Sequence, residues 1–312
     1  MRNGIGIALA TTTMVIWGGQ WVVGRSALTH VDAFNLTTIR YAIAAVLLLV
    51  VLAAVEGTRA LRLDGHGIRL FLLGTLGFAG FNLFAYVGLA HAGAASASLM
   101  TALAPLLAAF LLWARGAGRP SRDVVAALAV ALLGVAIVVG RGDPLTVFTG
   151  AFGWGDALVL AGIASFLLYT ASAGTVPGFS PLRYTALTAA LGWVSIAAAT
   201  AIADGAGLEH VPSTADVHDA LPAIAYISVL GAVVAVTTWN LGVARLGTQN
   251  ASLYTNLMPV TTFAIELARG YQATAAELGG AGLTVAALVA VNLRGRRRVV
   301  RERLLAPAPS RG

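Results

Sequence analysis

Cysteine is absent from this 312-residue chain, and so is lysine: all 20 basic residues are arginine. Without cysteine there is no disulfide, no thiolate nucleophile and no Cys-based metal site, and the redox compartment stays unread. Charge of either sign is scarce, at 11% of residues, with only 13 of them acidic. A water-exposed surface for a protein of this length needs more. Also missing are an HExxH zinc motif, a Gly-x-Ser-x-Gly elbow and a Walker-type phosphate loop, so the common hydrolase and nucleotide-binding readings find no support. The arginine-only usage reads as a coding bias of the source.

Apolar residues are what the chain has. They make up 58% of it, with a mean hydropathy of +0.83. An aqueous fold of this size cannot hide so much apolar surface, because interiors grow slowly with chain length. Lipid is the implied solvent, and each spanning helix then needs about 20 mostly apolar residues. Met1-Arg2-Asn3 followed by an apolar run mimics a signal peptide, but no small-residue cleavage site precedes a soluble domain. The run is expected to be the first membrane helix.

The chain also repeats itself. Gly93–Gly116 returns 154 positions later as Gly247–Gly270: Ala97-Ser98-Leu99 as Ala251-Ser252-Leu253, Thr101 as Thr255, Pro105 as Pro259, Ala114-Arg115-Gly116 as Ala268-Arg269-Gly270. At the same offset Leu76-Gly77 matches Leu230-Gly231, and Gly88 matches Gly242. Self-similarity in an apolar chain is the signature of a transporter built from repeats.

Ten apolar runs can be marked, at 5–24, 33–55, 67–90, 94–113, 122–140, 151–174, 182–203, 220–243, 247–268 and 276–293. They predict an all-α membrane protein in two five-helix repeats, residues 1–142 and 150–295, followed by a basic tail, 296–312. An odd number of spans per copy makes the second copy enter from the opposite side, so the repeats are expected to be inverted. Arginine placement sets the orientation. With a cytoplasmic N-terminus, the inner side receives Arg2, Arg59, Arg62, Arg69, Arg115, Arg119, Arg122, Arg183, Arg245 and the tail cluster. The outer side keeps Arg25, Arg40, Arg141 and Arg269, and the acidic loop from Asp204 to Asp219. Both termini are therefore expected in the cytoplasm. Topology and contact with anionic lipid account for the net charge of +7, so nucleic acid is not implied as a partner.

Trp17-Gly18 ahead of Arg25, Arg40-Tyr41 echoed by Arg183-Tyr184, and Ala-Ser-Leu followed by proline in the fourth and ninth runs resemble the drug/metabolite transporter superfamily, in its ten-helix EamA-type branch. The resemblance covers nearly the whole chain. It implies a basket of ten helices around a central cavity lined by the first, third, fourth, sixth, eighth and ninth. Members move amino acids, other small metabolites, vitamins or drugs, most often outward. The Glu-Arg pair common in such families after the fourth and ninth helices is not matched here, where the first copy reads Trp113-Ala114-Arg115-Gly116.

Candidate solute contacts follow from helical spacing. Trp17, Gln20, Trp21 and Gly24 share one face of the first run. Two indoles and an amide there could hold an amphipathic solute, or Trp21 could sit in the interfacial aromatic belt. Phe78, Asn82 and Tyr86 share a face of the third run; the eighth carries Trp239 and Asn240 where the third has Ala85 and Tyr86. Asn82 and Asn240 read either as cavity lining or as interhelical glue. Tyr169, between Ser165 and Ser172, and Tyr254, with Asn250 and Thr261, add polar stripes to the sixth and ninth runs. Ser98, Pro105, Ser252 and Pro259 read as packing, with a mid-helix proline kink available as a hinge.

Ionisable groups in the spans are few: Asp156, Glu266 and, near helix ends, Arg40, Arg183 and His91. A proton as coupling ion would need one of these to titrate while facing the cavity. Asp156 reads better as a cap, Glu266 as a neighbour of Arg269, and no strong relay is visible. His210, Asp216, His218 and Asp219 read as a solvated acidic loop rather than a metal site. No cofactor is implied. The sequence thus predicts an inner-membrane secondary transporter that exports small metabolites such as amino acids by alternating access. The rivals are a membrane-embedded enzyme acting on lipid or isoprenoid, which would need a paired acid, base or metal cluster, and a transporter-like sensor. Residue types alone do not fix the substrate, the direction, the coupling ion or the oligomeric state.

Overall fold

The computed structural model describes residues 2–114, 116, 122–149, 152–172, 175–246, 254–255, 257–287 and 289–290. Among them every regular element is helical. The helices are α1 (Arg2–Ala27), α2 (Ala33–Glu56), α3 (Gly67–Gly74), α4 (Phe81–His91), α5 (Ala94–Ala102), α6 (Ala104–Ala114), α7 (Arg122–Val139), α8 (Trp154–Ala171), α9 (Pro181–Gly205), α10 (Thr214–Ala225), α11 (Ala235–Leu246) and α12 (Leu257–Ala268). A further helix covers 275–287. Six stretches are long and apolar enough to cross a membrane by length and composition: Gly4–Ala27, Ala33–Glu56, Gly67–His91, Trp154–Ala171, Pro181–Gly205 and Thr214–Val243. Val125–Val139 and Leu257–Ala268 are shorter apolar helices. Large apolar side chains such as Val46, Val50, Leu72, Val194 and Ile202 lie on the outside of the bundle, where lipid rather than water suits them.

Short polar residues set the helix starts. Asp32 caps α2 by accepting from the amides of Phe34 and Asn35, at 2.8 and 2.9 Å. Ser180 caps α9 by accepting from Arg183 N at 2.9 Å, with Pro181 in the first turn. Ser213 and Asp216 form a capping box on α10, which satisfies two orphan amides at once. That box moves the start of the predicted run at 220–243 forward to Thr214, so the loop between α9 and α10 is shorter than its polar composition suggests.

Two long spans contain a π segment, Thr75–Gly80 between α3 and α4 and Tyr226–Val234 between α10 and α11. Shifted by 154, the first would cover 229–234, inside the second. The packing echoes this. α4 lies against α8, α1 lies against α11, and α2 lies against α9. At the α4–α8 crossing a Cβ on Gly88 would stand 2.5 Å from the Gly155 carbonyl, so the backbones touch. Its sequence match, Gly242, faces Ala10 N and Gly6 O of α1 at 3.3 and 3.6 Å from a Cβ. Small residues let helices approach this closely without a hydrophobic drive between them.

The fourth span differs from the continuous, proline-kinked helix expected. It breaks at Leu103 into α5 and α6, and Pro105 is the second residue of α6. Pro259 is likewise the third residue of α12 and is buried. A first-turn proline forfeits no helical hydrogen bond, because its missing N–H would be an orphan there. Each proline therefore sits in the first turn of its helix, not in the middle.

Candidate functional site

Arg40 stands seven residues inside α2, about 10 Å along the helix from Ala33. It is only 3% exposed, so it does not belong with the outer-surface arginines. Asn82, at 0%, and Tyr86, at 4%, come to it from α4. The guanidinium Nη1 donates to Asn82 Oδ1 at 3.0 Å and to the Tyr86 hydroxyl at 2.9 Å. Its carbon lies 5.1 Å from the Tyr41 ring centre and 5.4 Å from that of Tyr86. Asn82 Nδ2 in turn donates to Tyr41 Oη at 3.1 Å and to Phe78 O at 2.9 Å. Spacing of four brings Phe78, Asn82 and Tyr86 onto one face. What spacing did not reveal is that the face is built around a cation.

α1 closes this group. Gly24 packs on the Tyr86 ring, with a Cβ there 3.0 Å from Cε1, and Gln20 stands beside Tyr86. The Gln20 Oε1 atom lies over Gly231 of the second π segment, 2.2 Å from where a Cβ would be. Trp17 donates its indole N–H to Gly231 O at 3.0 Å. Its ring meets Trp239 of α11, centroids 5.9 Å apart. Trp17, Gln20 and Trp239 are thus joined across Gly231, and Asn82 and Tyr86 across Arg40. Tyr226 bridges back by donating to Ile16 O at 3.0 Å.

Three buried polar atoms find no hydrogen-bond partner among the described residues: Gln20 Oε1, Arg40 Nε and Ser228 Oγ. Two belong to the group just described. The third lies on the π segment that packs against both α1 and α2. Buried polar atoms without partners are rare, and each costs about 1–3 kcal/mol. An arginine at membrane depth adds roughly 2.5–3.5 kcal/mol on insertion scales.

Tyr169 goes elsewhere. It fills the groove at Gly77, where a Cβ would meet its ring at 2.3 Å. It stacks on Tyr184 at 5.0 Å, packs on Phe78 at 5.3 Å and shares a hydrogen bond with Thr188 at 3.0 Å. Gly77 and Gly231 match in sequence, yet one groove holds a fully engaged tyrosine and the other a glutamine with an unused oxygen. Asn240 and Tyr254 are half-buried and Ser98 is buried. Ser252, like Asn250, lies outside the described residues. Trp21 is buried in the core rather than at a membrane surface. Asp156 accepts from Ser96 Oγ at 2.7 Å and from Gly153 N at 3.1 Å, so its carboxylate is engaged in capping α8. Sequence reading named Arg40-Tyr41 as a motif and Arg40 as an ionisable group near a helix end but placed neither residue among the solute contacts, and it passed over Ser228. The available signal was a charge set well inside an apolar run.

At the ends of α2 and α9, Asp204, Asn35 and Asp32 meet, Asn35 Nδ2 donating to Asp32 Oδ2 at 2.9 Å and Asp204 Oδ1 at 3.1 Å. Beside them is a cavity of about 370 Å³ lined by His30, Asp32, Glu209, His210, Pro212 and Asp216 among others. Burial pushes the Glu209 carboxyl above its ordinary range, and the charges of Asp32 and Asp204 push it further. Among the described residues no group of three or more His, Cys, Asp or Glu converges as a metal ligand set.

The sequence model of the EamA-like transporter family matches the chain twice, at residues 4–140 and 153–293. The chain is 27% identical to the uncharacterized transporter YrdR of Bacillus subtilis (strain 168), across 94% of this chain and 92% of that protein. It is 27% identical to the uncharacterized transporter YyaM of the same organism, across 79% and 80%. An uncharacterized transporter of Archaeoglobus fulgidus is 25% identical across 81% and 85%. One protein crystal structure aligns with a TM-score of 0.62 at 21% identity, covering 95% of this chain and 98% of that one, a likeness of fold alone.

Proposed function

The chain belongs to the EamA-like transporter family, and we propose that it exports small metabolites, such as amino acids or related amphipathic compounds, by alternating access. The family and its relatives are transporters, not enzymes, and the chain is a multi-pass membrane protein. In this reading it sits in the inner membrane with both termini in the cytoplasm, as inverted five-helix repeats over 1–142 and 150–295. The twofold family match and the π segments 154 positions apart support that arrangement.

The observation that carries the reading is the buried polar group between α1, α2, α4 and the second π segment. It holds unspent hydrogen-bonding capacity in an otherwise apolar bundle. Trp17, Gln20, Asn82, Tyr86, Trp239 and Asn240 contact the solute, with Tyr169 and Tyr254 at the margins. Motion is taken up at the Pro105 and Pro259 helices. A proton is the coupling ion only if a carboxylate enters this group during the cycle, since Asp156 is already committed to its cap.

The test is solute counterflow in proteoliposomes, with the solute chosen by comparing metabolites of overexpressing and deleted cells. The wild type accumulates labelled solute transiently, and Trp239→Ala and Asn82→Ala weaken its affinity by roughly tenfold or more, as expected for lost contacts to a desolvated site. Unchanged affinity removes those residues from the site. Binding without counterflow makes the protein a sensor.

A further inference from the structure

We infer that Arg40 is the anchor for a carboxylate on the transported solute, an assignment that rests on the transporter reading and names its substrate class. Arg40 is a buried guanidinium whose side-chain hydrogen bonds go only to neutral groups, the Asn82 amide and the Tyr86 hydroxyl. None of the ion pairs formed among the described residues involves it. The contrast with Arg183 is direct. Arg183-Tyr184 opens α9 as Arg40-Tyr41 lies in α2, but Arg183 reaches Asp64 at 2.6 Å. Among the described residues Arg40 has no such counter-ion.

A buried charge held only by neutral dipoles is costly unless something arrives to pair with it. The Arg40 Nε is buried without an acceptor among the described residues. A carboxylate suits it because one oxygen can accept a hydrogen bond from Nε–H while the other accepts one from a terminal N–H, the fork geometry that distinguishes arginine from lysine. Asn82 and the two tyrosine rings already hold the fork in place, so little ordering remains for the solute to impose. Gln20 Oε1, the unpartnered acceptor across Tyr86, is placed to receive a donor from the same solute. The indoles of Trp17 and Trp239 supply an apolar wall beyond it. A small monocarboxylate with an apolar body fits this set, with or without an amino group.

The probes are L-leucine, 4-methylpentanoate and L-leucinamide, added to the purified full chain and followed by thermal unfolding. The expected result is that both carboxylates raise the wild-type Tm and leucinamide does not. Arg40→Gln loses the shift, and Arg40→Lys, which keeps the charge but not the fork, retains only part of it. Gln20→Glu, which places a resident carboxylate in the same group, also loses it while remaining folded. Equal shifts from leucine and leucinamide, or an undiminished shift in Arg40→Gln, overturn the assignment. So does a shift produced by phosphatidylglycerol micelles but by neither small carboxylate. If the wild type responds to no carboxylate yet carries a neutral solute in counterflow, the anchor fails and the transporter reading stands. If carboxylates bind at Arg40 but nothing is carried, the anchor stands and the transporter reading fails.

Discussion

Gly77 and Gly231 occupy matched positions, and the side chains pressed on them decide what a methyl group would do at each. At Gly77 the obstacle is the Tyr169 ring, 2.3 Å from a Cβ and fixed by Tyr184, Phe78 and Thr188. Gly77→Ala is therefore expected to cost about 1–3 kcal/mol as overpacking, read as a lowered Tm. At Gly231 the obstacle is the tip of Gln20, which can swing aside. Gly231→Ala should leave Tm within about 0.5 kcal/mol of wild type while weakening solute response, and a large loss of stability would refute the flexible-tip account. The sequence carried part of this. The offset of 154 identifies the matched glycines, and helical spacing selects Trp17, Gln20, Asn82 and Tyr86. It does not say which side chain fills each groove, because that depends on contacts between spans far apart in the chain. Arg40 stayed hidden for the same reason. Its place near one end of α2 suits an outer charge, and only α4 folding over it shows the burial.

Pairs of helices meet at backbone contacts, and the two equivalent crossings differ in tightness. At α4–α8 a Cβ on Gly88 would press within 2.5 Å of a carbonyl that cannot rotate away. At α1–α11 a Cβ on Gly242 finds its nearest atom at 3.3 Å. Gly88→Ala should therefore destabilise by about 1–3 kcal/mol and Gly242→Ala by distinctly less, and the reverse order in thermal unfolding would contradict this packing. The loop between α9 and α10 gives a pH prediction. Because the Glu209 carboxyl is raised, the folded state binds that proton more readily than the unfolded chain, so stability is gained as pH falls and lost as it rises. On acidification from about pH 7 toward the ordinary carboxylate range, Tm should rise, and Glu209→Gln should remove the rise. A Tm that only falls with pH, equally in both proteins, would contradict it. Helix positions were legible from apolar runs, as α2 and α9 show, agreeing with the predicted runs to within a residue or two. The break at Leu103 and the early start of α10 were not. Both are set by local capping and proline placement, to which hydropathy is blind.

At the scale of the molecule, one family sequence unit is matched twice, and the matched parts pair crosswise: α4 with α8, α1 with α11. Shared glycines keep the crossings alike. Unshared side chains make one groove tight and leave the other with open hydrogen-bonding capacity beside a buried cation. The proposed carrier works by exposing that second groove to each side of the membrane in turn. Because the chain contains no cysteine, a single one can be introduced and read without background. The most direct measurement places it at Asn240 and follows labelling by a membrane-impermeant maleimide from each side of oriented vesicles. Alternating access predicts labelling from both sides and protection from both by saturating solute. Labelling from one side only, unchanged by a solute that demonstrably binds, would contradict it.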